Sequence, residues 1–397
     1  MLTLVHPDFL PPVYATAQVL RDIGYKIHIL TFDSFVPAHL GLGGGIELES
    51  VGKHHGISTP KRIALRRKFT ARAKQLAGEN PLAIITFCPF SFLCGLKVKG
   101  SAPLIYSALE VADFMLPIFL KSPLSNYNNL RALKNMHRAD VVTTPSVQRS
   151  AWLAGRCHLD FVPYTVLNTA YLPPHNDGPH VGAGLAPALR NMDDTNYDVF
   201  KSLIPGSFLD KKIILYTGAV NDHLCVMELV KAFDTVADEA SALVITGIKD
   251  NEYCNSIKDY AAKCKSSSRI QLLPYVTRAE MLSLQANADI GVCLAKEYDN
   301  NVESKMMAPN KVGEYLAKGL YLLGVKNEYL TPIKWKGLAS LADTTAPADI
   351  ATALGEALHS VQGDNYKQAI RNFVEEYFCM QQQLKPVINY IEAIKQA

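Results

Sequence analysis

The stretch with the most potential for chemistry is SKMMAPNKVGEYLAKGLYLLGV, residues 304–325. Pro309 suits the first turn of a helix over 310–318, and Gly319 suits its C-terminal end. The apolar run that follows reads as a strand. The helix therefore belongs to an α/β unit, and its first-turn amides point out of the carboxyl edge of a sheet. Such amides, with the helix dipole, form a cradle for a diphosphate. Lys311 adds a cation. Glu314, just over one turn further on, suits a pair of vicinal ribose hydroxyls better than a phosphate. An ordinary amphipathic helix with solvated Lys311 and Glu314 fits the same spacing, and the pattern alone does not choose.

Two further side chains sit where α/β proteins collect ligands. His6 closes the first predicted strand and Glu110 closes a later one, both at the carboxyl edge of a sheet. Each has a plain alternative, His6 as a loop residue and Glu110 as a helix-start carboxylate. Pro89 and Phe90 shape the same wall. The segment KRIALRRKFTARAK, residues 61–74, carries seven basic residues and no acid, with an imperfect apolar face of Ile63, Leu65, Phe69 and Ala73. It reads either as a solvated surface helix or as a face that meets anionic lipid or a phosphorylated acceptor.

Several chemistries are not written here. GLGGG at 41–45 lacks the G-x-G-x-x-G spacing and precedes a strand, so it reads as a turn. No G-x-x-x-x-G-K-[ST], H-E-x-x-H or G-x-S-x-G occurs, and no D-x-D offers a carboxylate pair for a phosphate-bound Mg²⁺. The eight cysteines include no C-x-x-C pair, and several lie in apolar runs where a thiol acts as a small hydrophobe. No metal ligand set is expected. A reduced, cytoplasmic setting fits these thiols and the absence of a signal-peptide pattern.

Around these residues the elements follow a βα rhythm. Leu2–Val5, Ile27–Thr31, 46–51, 82–87, 103–107 and 140–146 read as strands, and Val13–Ile23 as a helix stopped by Gly24. Residues 173–208 are rich in Pro, Gly, Asn and Asp and read as a loop. The rhythm restarts with KIILYTG at 212–218 and runs through strands ALVITG, RIQLL, DIGVCLA and LYLLGV. From 347 onward the pattern is helical. With 397 residues, 48% of them hydrophobic and 19% charged, the chain has material for two buried cores. Its net charge of +3 gives no reason to expect a nucleic-acid partner. The organisation expected is an N-terminal Rossmann-like domain over 1–165, an interdomain strand and loop over 166–211, a second such domain over 212–365, and helices over 366–397 that pack back on the first.

PNKVGEYLAKGLYLLGV resembles the P-N-K-x-x-E-Y-x-x-x-G-x-P-[VI] signature of a branch of glycosyltransferase family 4. VLNTAYLP (166–173), ILYTGAVNDHLCVMELVKAF (214–233) and LLPYVTRAEMLSLQANADIGVCL (272–294) are similar to other family segments in order and spacing. A weaker likeness rests on ITFCPFSF, LIYSALEV and RADVVTTPS in the first half. The resemblance implies a GT-B fold, two facing doubly wound parallel-sheet domains with a cleft between them and a helical C-terminal tail. It implies a retaining, metal-independent transfer of a sugar from a nucleoside diphosphate, expected as a UDP-sugar, to an acceptor hydroxyl of a glycan, lipid-linked or small molecule. Alternatives are a non-catalytic nucleotide-sugar-binding subunit and a nucleotide-sugar epimerase on the same fold.

Carried across, the resemblance places Glu314 on the donor ribose, Gly218 beside the diphosphate, and the backbone at Tyr275 and Val276 on the base. Pro309, Asn310, Lys311 and His223 complete the donor set. Glu110, His6 and Lys311 are the catalytic candidates. The family's first Glu of an E-x₇-E pair would fall at 306, where this chain has Met306. Its Arg and Lys after the strand-end Gly are replaced by the Val220–His223 region. Diphosphate charge then falls to the 310 helix with Lys311, Lys305 and His223. No cofactor is expected beyond the donor substrate, and peripheral contact with an anionic membrane through 61–74 is expected.

Overall fold

In the computed structural model the described residues are 1–3, 10–32, 44–54, 56–110, 123–172, 194–236, 238–297, 306–363 and 365–396. His6, the tip of the GLGGG segment at 41–43, Glu303 and Lys305 lie outside them. The chain divides into two compact units. The first takes in Met1–Tyr171, Asn300–Ala308 and Met380–Ala397, the second Leu172–Asp299 and Pro309–Cys379.

The first unit is a parallel sheet of β1 (Ile27–Thr31), β2 (Ile46–Ser50), β3 (Ile84–Thr86), β4 (Leu104–Ser107), β5 (Val141–Thr144) and β6 (Tyr164–Thr165). β1 pairs with β2, and β3 to β6 pair in order. Leu2 bridges the two groups, parallel to Leu30 on one side and Thr86 on the other. The strand expected at Leu2–Val5 is thus seen at Leu2, with residues 4 and 5 outside the described set. Successive strand residues face opposite ways and both faces are buried. Ile84, Leu104 and Tyr106 join one apolar cluster with Phe69 and Phe92, whereas Ile85 and Ile105 join the other with Val13 and Leu20. Helix α1 (Pro11–Asp22) covers the second face. Helices α2 (Thr59–Ala77), α3 (Pro89–Val98), α4 (Pro123–Asn135) and α5 (Val147–Arg156) follow on the way to β6.

The second unit opens with α6 (Asp194–Leu203) and then alternates β7 (Lys212–Tyr216), α7 (Val226–Val236), β8 (Ser241–Ile245), α8 (Glu252–Lys263), β9 (Ile270–Leu272), α9 (Arg278–Ala286), β10 (Ile290–Cys293), α10 (Asn310–Ala317), β11 (Tyr321–Val325), α11 (Thr331–Trp335), β12 (Ala339–Ala342) and α12 (Pro347–Ser360), closing with α13 (Asn365–Glu376). All pairings are parallel, in the order β12-β11-β10-β7-β8-β9. Strands after β7 build outward to one side, then β10 returns to its other side. Right-handed crossovers put the helices of the two halves on opposite faces, so β7 and β10 flank a topological switch point. Helices α14 (Met380–Gln383) and α15 (Lys385–Gln396) return to the first unit, where Met380, Val387 and Ile391 join the cluster of α1.

Two expectations change. The loop read over 173–208 contains α6, which packs on α9, followed by a 3₁₀ turn at Gly206–Phe208. Phe200, Ile204 and Phe208 are buried there, and this apolar anchoring outweighs the turn-rich composition of the flanking residues. The tail read over 366–397 as packing on the first domain divides. Helix α13 packs on α10 and β11 of the second unit because Tyr366, Ile370 and Val374 form a buried stripe at helical spacing. Among the described residues no helix is long and apolar enough to cross a membrane.

Asp289 sets the register at the start of the second sheet. Its carboxylate, on a residue only 8% exposed, accepts from the Ile213 N–H at 2.9 Å, the Tyr366 hydroxyl at 3.0 Å and Lys212 Nζ at 3.3 Å. One acidic side chain thus joins β7, β10 and α13. Asp289→Ala strands a buried backbone donor and a phenol, so urea unfolding is expected to show a loss of about 2–4 kcal/mol, with Asp289→Asn losing clearly less because it keeps an acceptor.

Candidate functional site

The switch point is where the expected donor residues gather. Gly218 lies just beyond the carboxyl end of β7 with φ +122°, and Gly247 just beyond β8 with φ +92°. A Cβ on Gly247 would stand 2.0 Å from the Gly218 carbonyl oxygen. The two loops therefore meet backbone on backbone, and only glycine permits it. The Gly247 N–H donates to Pro274 at 3.1 Å, tying in the loop after β9.

Helix α10 is locked over this corner by Tyr315. Its buried hydroxyl accepts from the Thr217 N–H at 2.9 Å and lies 3.0 Å from the Thr217 Oγ1. Its ring lies against Gly291 of β10, where a Cβ would come within 2.4 Å of the ring. The absent side chain at 291 is what lets the helix approach the sheet.

The start of α10 has no side-chain cap. Pro309 occupies the N-cap, and while the Val312 N–H donates to the Pro309 carbonyl at 3.2 Å, no side chain caps the Asn310 and Lys311 amides. Lys311 reaches back over the strand end. Its Nζ sits 4.2 Å above the Tyr216 ring and 3.6 Å from where a Gly218 Cβ would be. Burial pushes the ammonium pKa down. Among the described residues the Lys311 charge rests on an aromatic face and meets no carboxylate at ion-pair distance. A half-buried cation lacking a counter-charge favours an incoming anion.

Glu314 points elsewhere on the helix, toward α9. It pairs with Arg278 at 2.6 Å and takes a long contact of 3.4 Å from Gln285. Its side chain is 12% exposed and that of Arg278 25%. Arg278 follows the Thr277 N-cap, whose capping box with Glu280 fixes the start of α9. Tyr275, in the same loop, is 69% exposed, and Val276 is half-buried.

His223 sits in a 3₁₀ turn, Asp222–Leu224, that ends in a left-handed Cys225 with φ +54°. Its carbonyl accepts from the Lys296 N–H at 2.8 Å. Lys296 in turn bonds Asp222 at 2.9 Å and Glu228 at 3.0 Å, which raises its pKa. Lys296 is thereby neutralised, and among the described residues Lys311 is the cation beside Gly218.

In the first unit, Glu110 is exposed just past β4. The preceding carbonyl of Leu109 is held by the buried Arg149 of α5, whose Nε also donates to the Met306 carbonyl at 2.8 Å. Asn168 donates to the Ala308 carbonyl at 2.7 Å. Met306 thus serves through its backbone. Among the described residues no three His, Cys, Asp or Glu side chains converge as metal ligands.

Lys311, Gly218, Pro309 and Asn310 therefore share one corner with Glu314 on the same helix. Sequence reasoning missed Arg278, Gly247, Tyr315, Gly291 and Arg149. Only Gly247 carried a legible signal, a glycine ending a buried strand just as Gly218 does. Gly291→Ala forces backbone-proximal atoms of Tyr315 to move, and is expected to cost about 1–3 kcal/mol in urea unfolding. Gly355→Ala, where a Cβ on α12 meets nothing within 4 Å, is expected to be neutral or to stabilise by up to about 1 kcal/mol.

No family model and no curated protein matches the sequence. Solved structures do match in fold. HepE of Anabaena, in complex with UDP and glucose, aligns with a TM-score of 0.66 at 10% identity over 99% of each chain. A glycosyltransferase from Rickettsia africae aligns at 0.63 and 13% identity, covering 99% of this chain and 97% of that one. A protein described as a putative UDP-N-acetylglucosamine 2-epimerase from Listeria monocytogenes aligns at 0.59 and 11%, over 100% and 96%. The chain has the α/β GT-B fold that its sequence led us to expect.

Proposed function

We propose that the chain is a retaining, metal-independent glycosyltransferase that moves a sugar from a nucleoside diphosphate, a UDP-sugar, to an acceptor hydroxyl of a glycan, glycolipid or small molecule. The observation that carries this reading is Lys311, a half-buried cation held over Tyr216 beside Gly218 at the start of α10, which no side chain caps. A diphosphate supplies the charge this corner lacks. A fold shared with a protein that binds UDP and glucose supports the nucleotide part.

The chemistry follows from where charge develops. As the bond from the sugar to the diphosphate breaks, negative charge grows on the leaving oxygen. First-turn amides of α10 and the Lys311 ammonium are already aimed there, so they stabilise the transition state without reorganising. The leaving oxygen accepts the proton of the acceptor hydroxyl on the same face, so no protein nucleophile is needed. Glu314 accepts from the ribose hydroxyls, with Arg278 holding its carboxylate in place. Glu110 and His6 serve the sugar or the acceptor. A cytoplasmic location with 61–74 on an anionic membrane surface belongs to the same reading.

An epimerase on this fold is the second reading, favoured by the likeness to the Listeria protein. It needs acid and base carboxylates around the sugar ring, and the carboxylate position at 306 is a methionine. Transfer from UDP-sugars to acceptors, against change of the donor with no acceptor present, separates the two.

Two mutants are expected to differ in kind. Glu314→Gln replaces a charged acceptor by a neutral one and is expected to weaken donor binding by about ten- to a hundredfold. Lys311→Met removes charge beside the leaving group, so its loss is expected mainly in kcat, with weaker binding of free UDP. Wild-type donor affinity in Glu314→Gln would remove Glu314 from the site. Turnover is expected to survive EDTA, and activity lost in EDTA and restored by Mg²⁺ or Mn²⁺ would overturn the metal-independent part.

A further inference from the structure

Charge is unevenly spread along the chain. Residues 56–138 hold 13 of its 40 basic residues and 3 of its 37 acidic ones. The fold turns this stretch into a layer. Helices α2 and α3 bury Phe69 and Phe92, and the turn after α4 buries Met136, all in one apolar cluster on one face of the first sheet. Their polar sides are left to water.

Between these helices opens a cavity of about 230 Å³. Among the described residues its charged lining is Lys97 of α3, Arg131 of α4 and Arg138 just beyond, with no carboxylate. Thr70, Tyr127 and Asn135 add polar groups. The basic heads are set by a chain of bonds along α4. Arg138 Nη1 donates to Asn135 Oδ1 at 3.2 Å, Asn135 Nδ2 to the Arg131 carbonyl at 2.7 Å, and Arg131 Nη1 to the Tyr127 hydroxyl at 2.9 Å. Other cations of the same layer have carboxylate partners, Arg72 with Glu49 and Lys99 with Asp140. Among the described residues the three that line the cavity have none. A cavity below the roughly 300–1,000 Å³ of drug-sized sites suits a compact group. Two guanidinium forks and an ammonium match the oxygens of a phosphate.

We propose that this cavity binds a phosphate monoester group. The site lies in the other unit from Lys311 and does not depend on the donor chemistry. Two sources present the same group, a soluble phosphorylated molecule and a phosphatidic acid headgroup.

The test uses the full chain and two double variants of equal charge change. Lys97→Ser with Arg138→Ser empties the cavity of two cations. The control variant, Lys26→Ser with Lys53→Ser, removes two exposed cations of the same unit outside both the cavity and 61–74. The Lys311 corner is common to all three proteins. The probes are inorganic phosphate by calorimetry, and phosphatidylcholine vesicles with and without phosphatidic acid by co-sedimentation, at about 0.1 M salt, where screening sets in over about 10 Å. The cavity variant is expected to bind phosphate about tenfold more weakly than wild type, with the control variant close to wild type. The same ordering seen only with phosphatidic acid vesicles identifies the headgroup as the source. Arg131→Lys, which keeps the charge and loses the fork, is expected to weaken binding severalfold while leaving the fold intact. Equal loss in both double variants, loss in the control variant alone, or no binding of either probe by wild type would overturn the proposal.

Discussion

One phenol hydroxyl holds the candidate site together. Tyr315 reaches from α10 to the Thr217 N–H past the end of β7, while its ring rests on the bare backbone of Gly291 in β10. β7 and β10 are the strands that flank the switch point, so this contact spans the place where the two halves of the sheet diverge. A donor from a neighbouring strand end, an aromatic body filling the space left by a glycine, and a helix N-terminus one turn back are thereby fixed in one geometry. Preorganised dipoles act on developing charge only if they are already in position. Tyr315 supplies that rigidity.

The site holds electrostatic tension. Lys296 and Lys212 are met by carboxylates. Lys311 is placed over Tyr216, and dehydration lowers its pKa. A desolvated lysine opposes folding as long as it stays charged, so its retention at this corner is understandable through ligand binding. Glu314 is the complementary case, since its charge is already paired with Arg278. A ligand that uses Glu314 has to share it with that guanidinium, which makes Arg278 part of how the carboxylate is presented.

The first unit separates its two helical layers by chemistry as well as by side. The face covered by α1 and the returning α14 and α15 closes an apolar cluster of small and branched side chains. The face covered by α2, α3 and α4 combines aromatic burial beneath, with Phe92 stacked on Tyr106 at 4.3 Å, and cations above. Long basic side chains can cover apolar helices while keeping their heads in water. The same layer thus completes a core and displays a positive field.

Much of this was readable before any coordinates. Buried runs such as Ile213–Tyr216 and Ala242–Ile245 declare parallel strands because both faces of the sheet are covered. Pro309 and Gly319 bound α10 because backbone constraints are local, and they place Lys311 and Glu314 one turn apart. What the sequence did not disclose is every contact between distant segments. The Arg278 partner of Glu314, the Gly247 approach to Gly218 and the seat of Tyr315 on Gly291 depend on which strands and helices come to lie side by side in the fold. Helix α6 was hidden for the same reason, since its packing partner α9 lies far along the chain. Local propensity and spacing are properties of adjacent residues, and the sequence determines them alone. Which carboxylate is neutralised, which lysine is dehydrated and which glycine must stay bare are decided by strand order, and strand order exists only in the folded chain.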